Sequence, residues 1–173
     1  TGLYNRRYFE DSLKKYSHAE YLPLSIVLVN INGIRLINDA LGFAEGDRMI
    51  IDASGILRTC CREFDVLSRT GGDEFGLLLP NTGNEEAEKM RASITEACAA
   101  FNEKKTDKMY AISFSSGMAT QERTDQNVTE ILKAADEFLR NSKLLNRKSI
   151  RSGLISSILA TVYEKSQETE EHA

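Results

Sequence analysis

Hydrophobic positions recur along the chain at two spacings, and each change of spacing marks an element. Residues 5–17 carry Tyr8, Phe9, Leu13 and Tyr16 near a helical period. After Pro23, the run Leu24–Ile31 is apolar and β-branched and is bounded by Asn30, Asn32 and Gly33, which predicts a buried strand. Helical spacing returns at about 35–41 and 46–62, where Met49, Ile50, Ala53, Ile56, Leu57 and Cys60 repeat at three and four. The segments DVLSRT and EFGLLLP flank Gly71-Gly72-Asp73-Glu74 and predict two strands joined by a tight turn, its positive φ supplied by the glycines. Asn84 is placed to cap a helix through about Asn102. Tyr110–Ala119 reads as a strand, and Asn127 or Thr129 opens a helix to about Leu145. The order α-β-α-α-β-β-α-β-α contains a hairpin, so the sheet is not purely parallel. The class expected is α/β (α+β), a mixed sheet flanked by helices.

The last 24 residues carry a separate signal. Ile150, Leu154, Ile155, Ile158, Leu159, Val162 and Tyr163 form an apolar stripe at helical spacing with polar residues opposite. It can pack on its own domain or on a second copy; because it follows the complete sheet pattern, contact with a partner copy or a flanking domain is the favoured expectation. The division is residues 1–149 as one domain and 150–173 as an amphipathic helix. The chain opens on a helical pattern without Met and ends without a stop signal, as a segment of a longer protein would.

Composition narrows the function classes. Lys and Arg number 22 against 26 Asp and Glu, a net charge of −4, so no surface here is built to neutralise nucleic-acid phosphates. The longest apolar runs, LSIVLV and FGLLL, fall far short of the ~20 residues a bilayer requires. Cys60, Cys61 and Cys98 are odd in number and lack metal spacing, so they read as thiols in a reducing, cytoplasmic compartment.

Candidate chemistry gathers at the hairpin. Asp73 and Glu74 are adjacent like charges that call for a cation or a proton between them, or else form a solvated turn. Asn30 ends a neighbouring strand. Asn38 and Asp47 flank Gly42 and Gly46, where backbone can approach a ligand. Lys143 and Arg147, four apart, fall on one helix face as a phosphate clamp requires. Acids for a metal, cations for phosphate and an Asn/Asp pair for a base edge together describe a nucleotide site.

These residues resemble the GGDEF family, the diguanylate cyclases that join two GTP molecules into cyclic di-GMP. The shared markers are TGLYNRRYF, IND at 37–39, GFAEGD at 42–47, GGDEF at 71–75, FSSGMA at 114–119, and Ala135-Asp136 followed by Lys143 and Arg147. The resemblance implies a ferredoxin-like core of the nucleotide-cyclase and polymerase-palm type. It implies Asp73 and Glu74 as catalytic and metal carboxylates, with Asn30 and the Ile31 backbone at the other metal positions and Mg2+ or Mn2+ as the ion. Asn38 and Asp47 would read guanine, and Arg35, Lys143 and Arg147 would hold the triphosphate. Arg62 and Asp65 match the family's R-x-x-D inhibitory site for cyclic di-GMP. A further arginine often completes that site from the next helix; here Ser93 occupies roughly its place, with Arg91 nearby. Reaction requires two domains face to face, so the partners implied are GTP, cyclic di-GMP, a second copy and a linked sensor. The tail SQETEEHA is similar to the opening of an HD-GYP domain.

The departures carry weight. Asn30 stands where the family carries a metal-binding Asp, Arg35 replaces a Lys, Phe43 a common His and Arg140 a common Tyr. Losing one unit charge at ~4 Å forfeits about 4 kcal/mol at an effective dielectric of about 20, roughly a thousandfold in rate. The reading is a guanine-nucleotide-binding regulatory module with weak or absent cyclase activity. The alternatives are an active cyclase and a ligand-free dimerisation and transmission module.

Overall fold

The computed structural model describes residues 1–107 and 109–171. Its elements are α1 (Arg6–Tyr16), β1 (Leu24–Ile31), α2 (Ile34–Leu41), α3 (Phe43–Cys60), β2 (Val66–Arg69), β3 (Glu74–Leu79), α4 (Asn84–Lys104), β4 (Phe114–Gln121) and α5 (Val128–Glu171). The four strands lie in the order β2-β3-β1-β4, and all three ladders are antiparallel.

That topology interleaves two βαβ units. β1 and β2, joined by α2 and α3, point the same way, but β3 inserts between them; β3 and β4, joined by α4, are separated in the same manner by β1. The ferredoxin-like α+β class is as the sequence implies. Parallel pairing, expected from a mixed sheet, is confined among the described residues to one isolated bridge between Tyr4 and Ser68. That bridge, with Arg69 N donating to Tyr4 O at 2.9 Å, covers the outer edge of β2.

Alternation along β1 divides the core. Val27, Val29 and Ile31 face α3 and α4 with Met49, Leu57 and Ile94, whereas Leu24 and Ile26 face Phe9, Leu13 and Ala135 of α1 and α5. Gly117 lets α5 lie directly on β4, because a Cβ there would meet Leu139 N at 2.2 Å and Ala135 O at 2.4 Å.

Several boundaries differ from the sequence reading. β4 starts at Phe114 rather than Tyr110. Asn84 is the first residue of α4 rather than its cap, and Gly83 N donates to Glu86 at 3.3 Å instead. Asn127 does cap α5, accepting from Thr129 N at 2.9 Å. α5 runs unbroken through position 150 for 44 residues. Leu154 and Ile158 are buried against the domain's own core beside Ile31 and Ile37, so the expectation that the whole stripe meets a partner fails for this row. Leu159, Val162 and Tyr163 remain exposed. His172, part of the HD-GYP-like tail, lies outside the described residues.

Candidate functional site

The Asp73 turn is held from both sides. Thr70 N and Gly71 N donate to Glu74 O at 2.9 and 3.3 Å, and the Arg69 guanidinium donates twice to Gly72 O at 2.7 and 3.2 Å. Neither Gly71 nor Gly72 takes positive φ, contrary to the sequence expectation. Gly71 serves through its missing side chain, since a Cβ would sit 2.9 Å from Glu74 Oε2. Positive φ occurs instead at Gly33, which starts α2, and at Gly42, between α2 and α3.

Asn30 pairs across the ladder with Glu74 and is 3% exposed. Its Nδ2 donates to the backbone carbonyl of Asp73 at 3.2 Å, and Ile31 N donates to the same oxygen at 2.9 Å. Two donors thus tie β1 to the hairpin. Neighbouring Asn32 is buried and bonded to Ser113 and Ser115.

Beyond this tie opens a cavity of ≈ 710 Å³, within the range of small-molecule sites. Asn30, Ile31, Arg35 and Asp73 line it together with Lys143 and Arg147, so six positions chosen from sequence converge. Its α5 wall adds Arg140 and Arg151, and Asp39 is the second carboxylate. Arg140 pairs with Asp136 at 2.9 Å; among the described residues, no ion pair is formed by Arg35, Lys143, Arg147 or Arg151. Sequence reasoning missed Arg151, although its place four residues beyond Arg147 on one helix face was the available signal.

Glu74 lines a second cavity, ≈ 350 Å³, with Arg6, Phe9, Lys133 and Asp136 between α1 and α5. Among the described residues, no three His, Cys, Asp or Glu side chains gather as metal ligands. The donor set is a poor fit for a divalent ion: Asp73 and Glu74 line different cavities, and Asn30 turns a donor N–H to the Asp73 carbonyl where the resemblance calls for an anionic ligand.

Asn38 and Asp47 stand outside both cavities. The Asn38 Oδ1 is buried against Gly46, where a Cβ would be 1.7 Å away, and has no hydrogen-bond partner among the described residues; Asp47 is exposed. Arg62 and Asp65 satisfy each other. The Asp65 side chain is fully buried, accepts from Arg62 N at 2.8 Å and Arg62 Nη2 at 3.0 Å, and the same guanidinium bonds Thr82. Ser93 is exposed on α4, and Arg91 turns instead to Ser116 of the β4 edge and stacks on Phe138.

Residues 1–149 match the family described as diguanylate cyclase, GGDEF domain. The chain belongs to the GGDEF family. This GGDEF domain is 27% identical over 170 residues to the probable diguanylate cyclase DgcE of Escherichia coli, covering 96% of this chain and 14% of that protein. It is 31% identical over 138 residues to the cyclic di-GMP phosphodiesterase PdeB of Shewanella oneidensis, covering 79% of this chain and 16% of that one. Among solved structures, the GGDEF domain of YfiN from Pseudomonas aeruginosa superposes with a TM-score of 0.71 at 26% identity, over 83% of this chain and 92% of that chain. The diguanylate cyclase SiaD of the same organism, in complex with its activator SiaC, shares the fold with a TM-score of 0.74 at 23% identity, over 83% of this chain and 56% of that chain. The domain thus spans a small part of the curated relatives it matches. No described helix is long and apolar enough to cross a membrane.

Proposed function

We propose that this GGDEF domain binds GTP as a cytoplasmic regulatory module and forms little or no cyclic di-GMP. One observation carries the reading. A cavity of nucleotide size unites Asn30 with the cations Arg35, Lys143 and Arg147, while the amide of Asn30 spends its N–H on the hairpin. Phosphate recognition is supported, and the charge that would drive in-line attack on an α-phosphate is missing. Asn38 and Asp47, which stand outside this cavity, are the proposed guanine readers only as the family resemblance implies. The proposed partners are a second copy, a linked sensor and a linked phosphodiesterase domain, which nucleotide occupancy would regulate.

Binding of cyclic di-GMP at Arg62 and Asp65 has weaker support, because Asp65 is already buried and paired within its own turn. Calorimetric titration with GTP and ATP, together with chromatographic product analysis, tests the main reading. Binding of GTP in preference to ATP without product is expected. Robust cyclic di-GMP formation would establish an active cyclase, and absence of any nucleotide binding would leave a transmission module.

A further inference from the structure

We infer that this site takes the triphosphate of its nucleotide without a divalent ion, with Arg140 and Arg151 of α5 supplying the charge that a metal would bring. The inference rests on the GTP reading above and deepens it. Its basis is the composition of one wall. Arg140, Lys143, Arg147 and Arg151 succeed one another at three- and four-residue steps along α5, and all line the cavity opposite Arg35. Like charges at this spacing destabilise a helix, and a row of four is costly unless an anion lies against it. Among the described residues, only Arg140 of this row has a carboxylate partner, Asp136, and that pair is solvent-exposed and available for exchange.

The lining holds five cations against Asp39 and Asp73, a formal charge of +3. Such a field attracts a polyanion and repels a dication. The first turn of α2 also lines the cavity, and its N-cap, Gly33, offers no side-chain hydrogen bond, so backbone N–H groups add to the anion site. Arg151 owes its place to Leu154, one turn further on, which is buried over Gly33 and pins this stretch of α5 to the β1–α2 loop. Guanidinium groups bind phosphate oxygens through paired N–H donors, a geometry that a spherical ion does not impose.

The test is calorimetry of the full chain with GTP in EDTA and again with Mg2+, repeated for Arg151→Gln and Arg151→Lys. We expect affinities within about threefold in the two buffers. A loss of about tenfold or more is expected for Arg151→Gln in EDTA, the range for a hydrogen bond to a charged group, and a smaller loss for Arg151→Lys. Tenfold weaker binding in EDTA than in Mg2+, or unchanged binding by Arg151→Gln, would overturn the inference and leave GTP recognition standing. No GTP binding in either buffer would remove both. Melting curves of the two exposed-site variants verify that each is folded.

Discussion

At the scale of single residues, Asn30 ties β1 to the hairpin. An aspartate at this position places a carboxylate oxygen where Nδ2 now donates to the Asp73 carbonyl at 3.2 Å. Two acceptors then face each other in a site that is 3% exposed, with Ile31 N the remaining tie. Leaving such a group unsatisfied costs about 1–3 kcal/mol. Asn30→Asp is therefore expected to melt roughly 2–12 °C lower in EDTA, taking about 2–4 °C per kcal/mol for a chain of this size. Added Mg2+ should recover part of the loss, because the new carboxylate brings the anionic ligand that the wild type lacks, and GTP binding should gain a dependence on metal. Equal melting temperatures for variant and parent in EDTA would show that the amide ties nothing.

At the scale of elements, α5 has two separable faces. Leu154 is 6% exposed and packs over Gly33, so Leu154→Ala is expected to cost about 2–5 kcal/mol. Leu159, 63% exposed, should cost less than about 0.5 kcal/mol on the same change. Urea denaturation measures both, and the reverse ranking would assign the buried row to a partner. The strands were legible because β1 and β3 are short apolar runs between turn residues, and their alternation fixes register. The single helix was not, because nothing between Leu145 and Ile150 signals a stop or a continuation, and its apolar row serves the sheet at Leu139 and the β1–α2 loop at Leu154. At the hairpin, sequence identifies the glycines but cannot distinguish a need for positive φ from a need for empty space. That Lys143 and Arg147 share one helix face was legible from spacing, whereas their convergence on Asn30 was implied by the family resemblance. The placement of Asp73 and Glu74 in different cavities was not legible, because Asp73 lies in the turn and only Glu74 belongs to β3.

At the scale of the whole molecule, buried acids set an alkaline limit. Burial pushes the Cys61 thiol up to about 12, aided by nearby Asp65, and the Cys98 thiol up to about 11. Burial, with Glu45 beside it, raises Tyr110 to about 12. Unfolded, these groups ionise near ~8.5 for a thiol and ~10 for a phenol. Between those values and the folded ones the unfolded chain has released protons that the native state retains, so stability falls as pH rises. Urea denaturation from pH 7 to pH 11 is expected to show a plateau to about pH 8.5 and then a decline, shallower in Cys61→Ala. A flat profile to pH 11 would contradict the placement of these groups, Cys98 and Tyr110 buried and Cys61 half-buried. The strand order carries another consequence, one of timing. β1 is central, but its second neighbour β4 ends at Gln121, and Val27 meets Met118 across most of the domain's length. At about 5–20 residues per second of synthesis, the β1 edge waits several seconds for its partner. During that interval the nascent chain displays LSIVLVNI as an open, apolar template, and its capture by another chain competes with folding until β4 arrives.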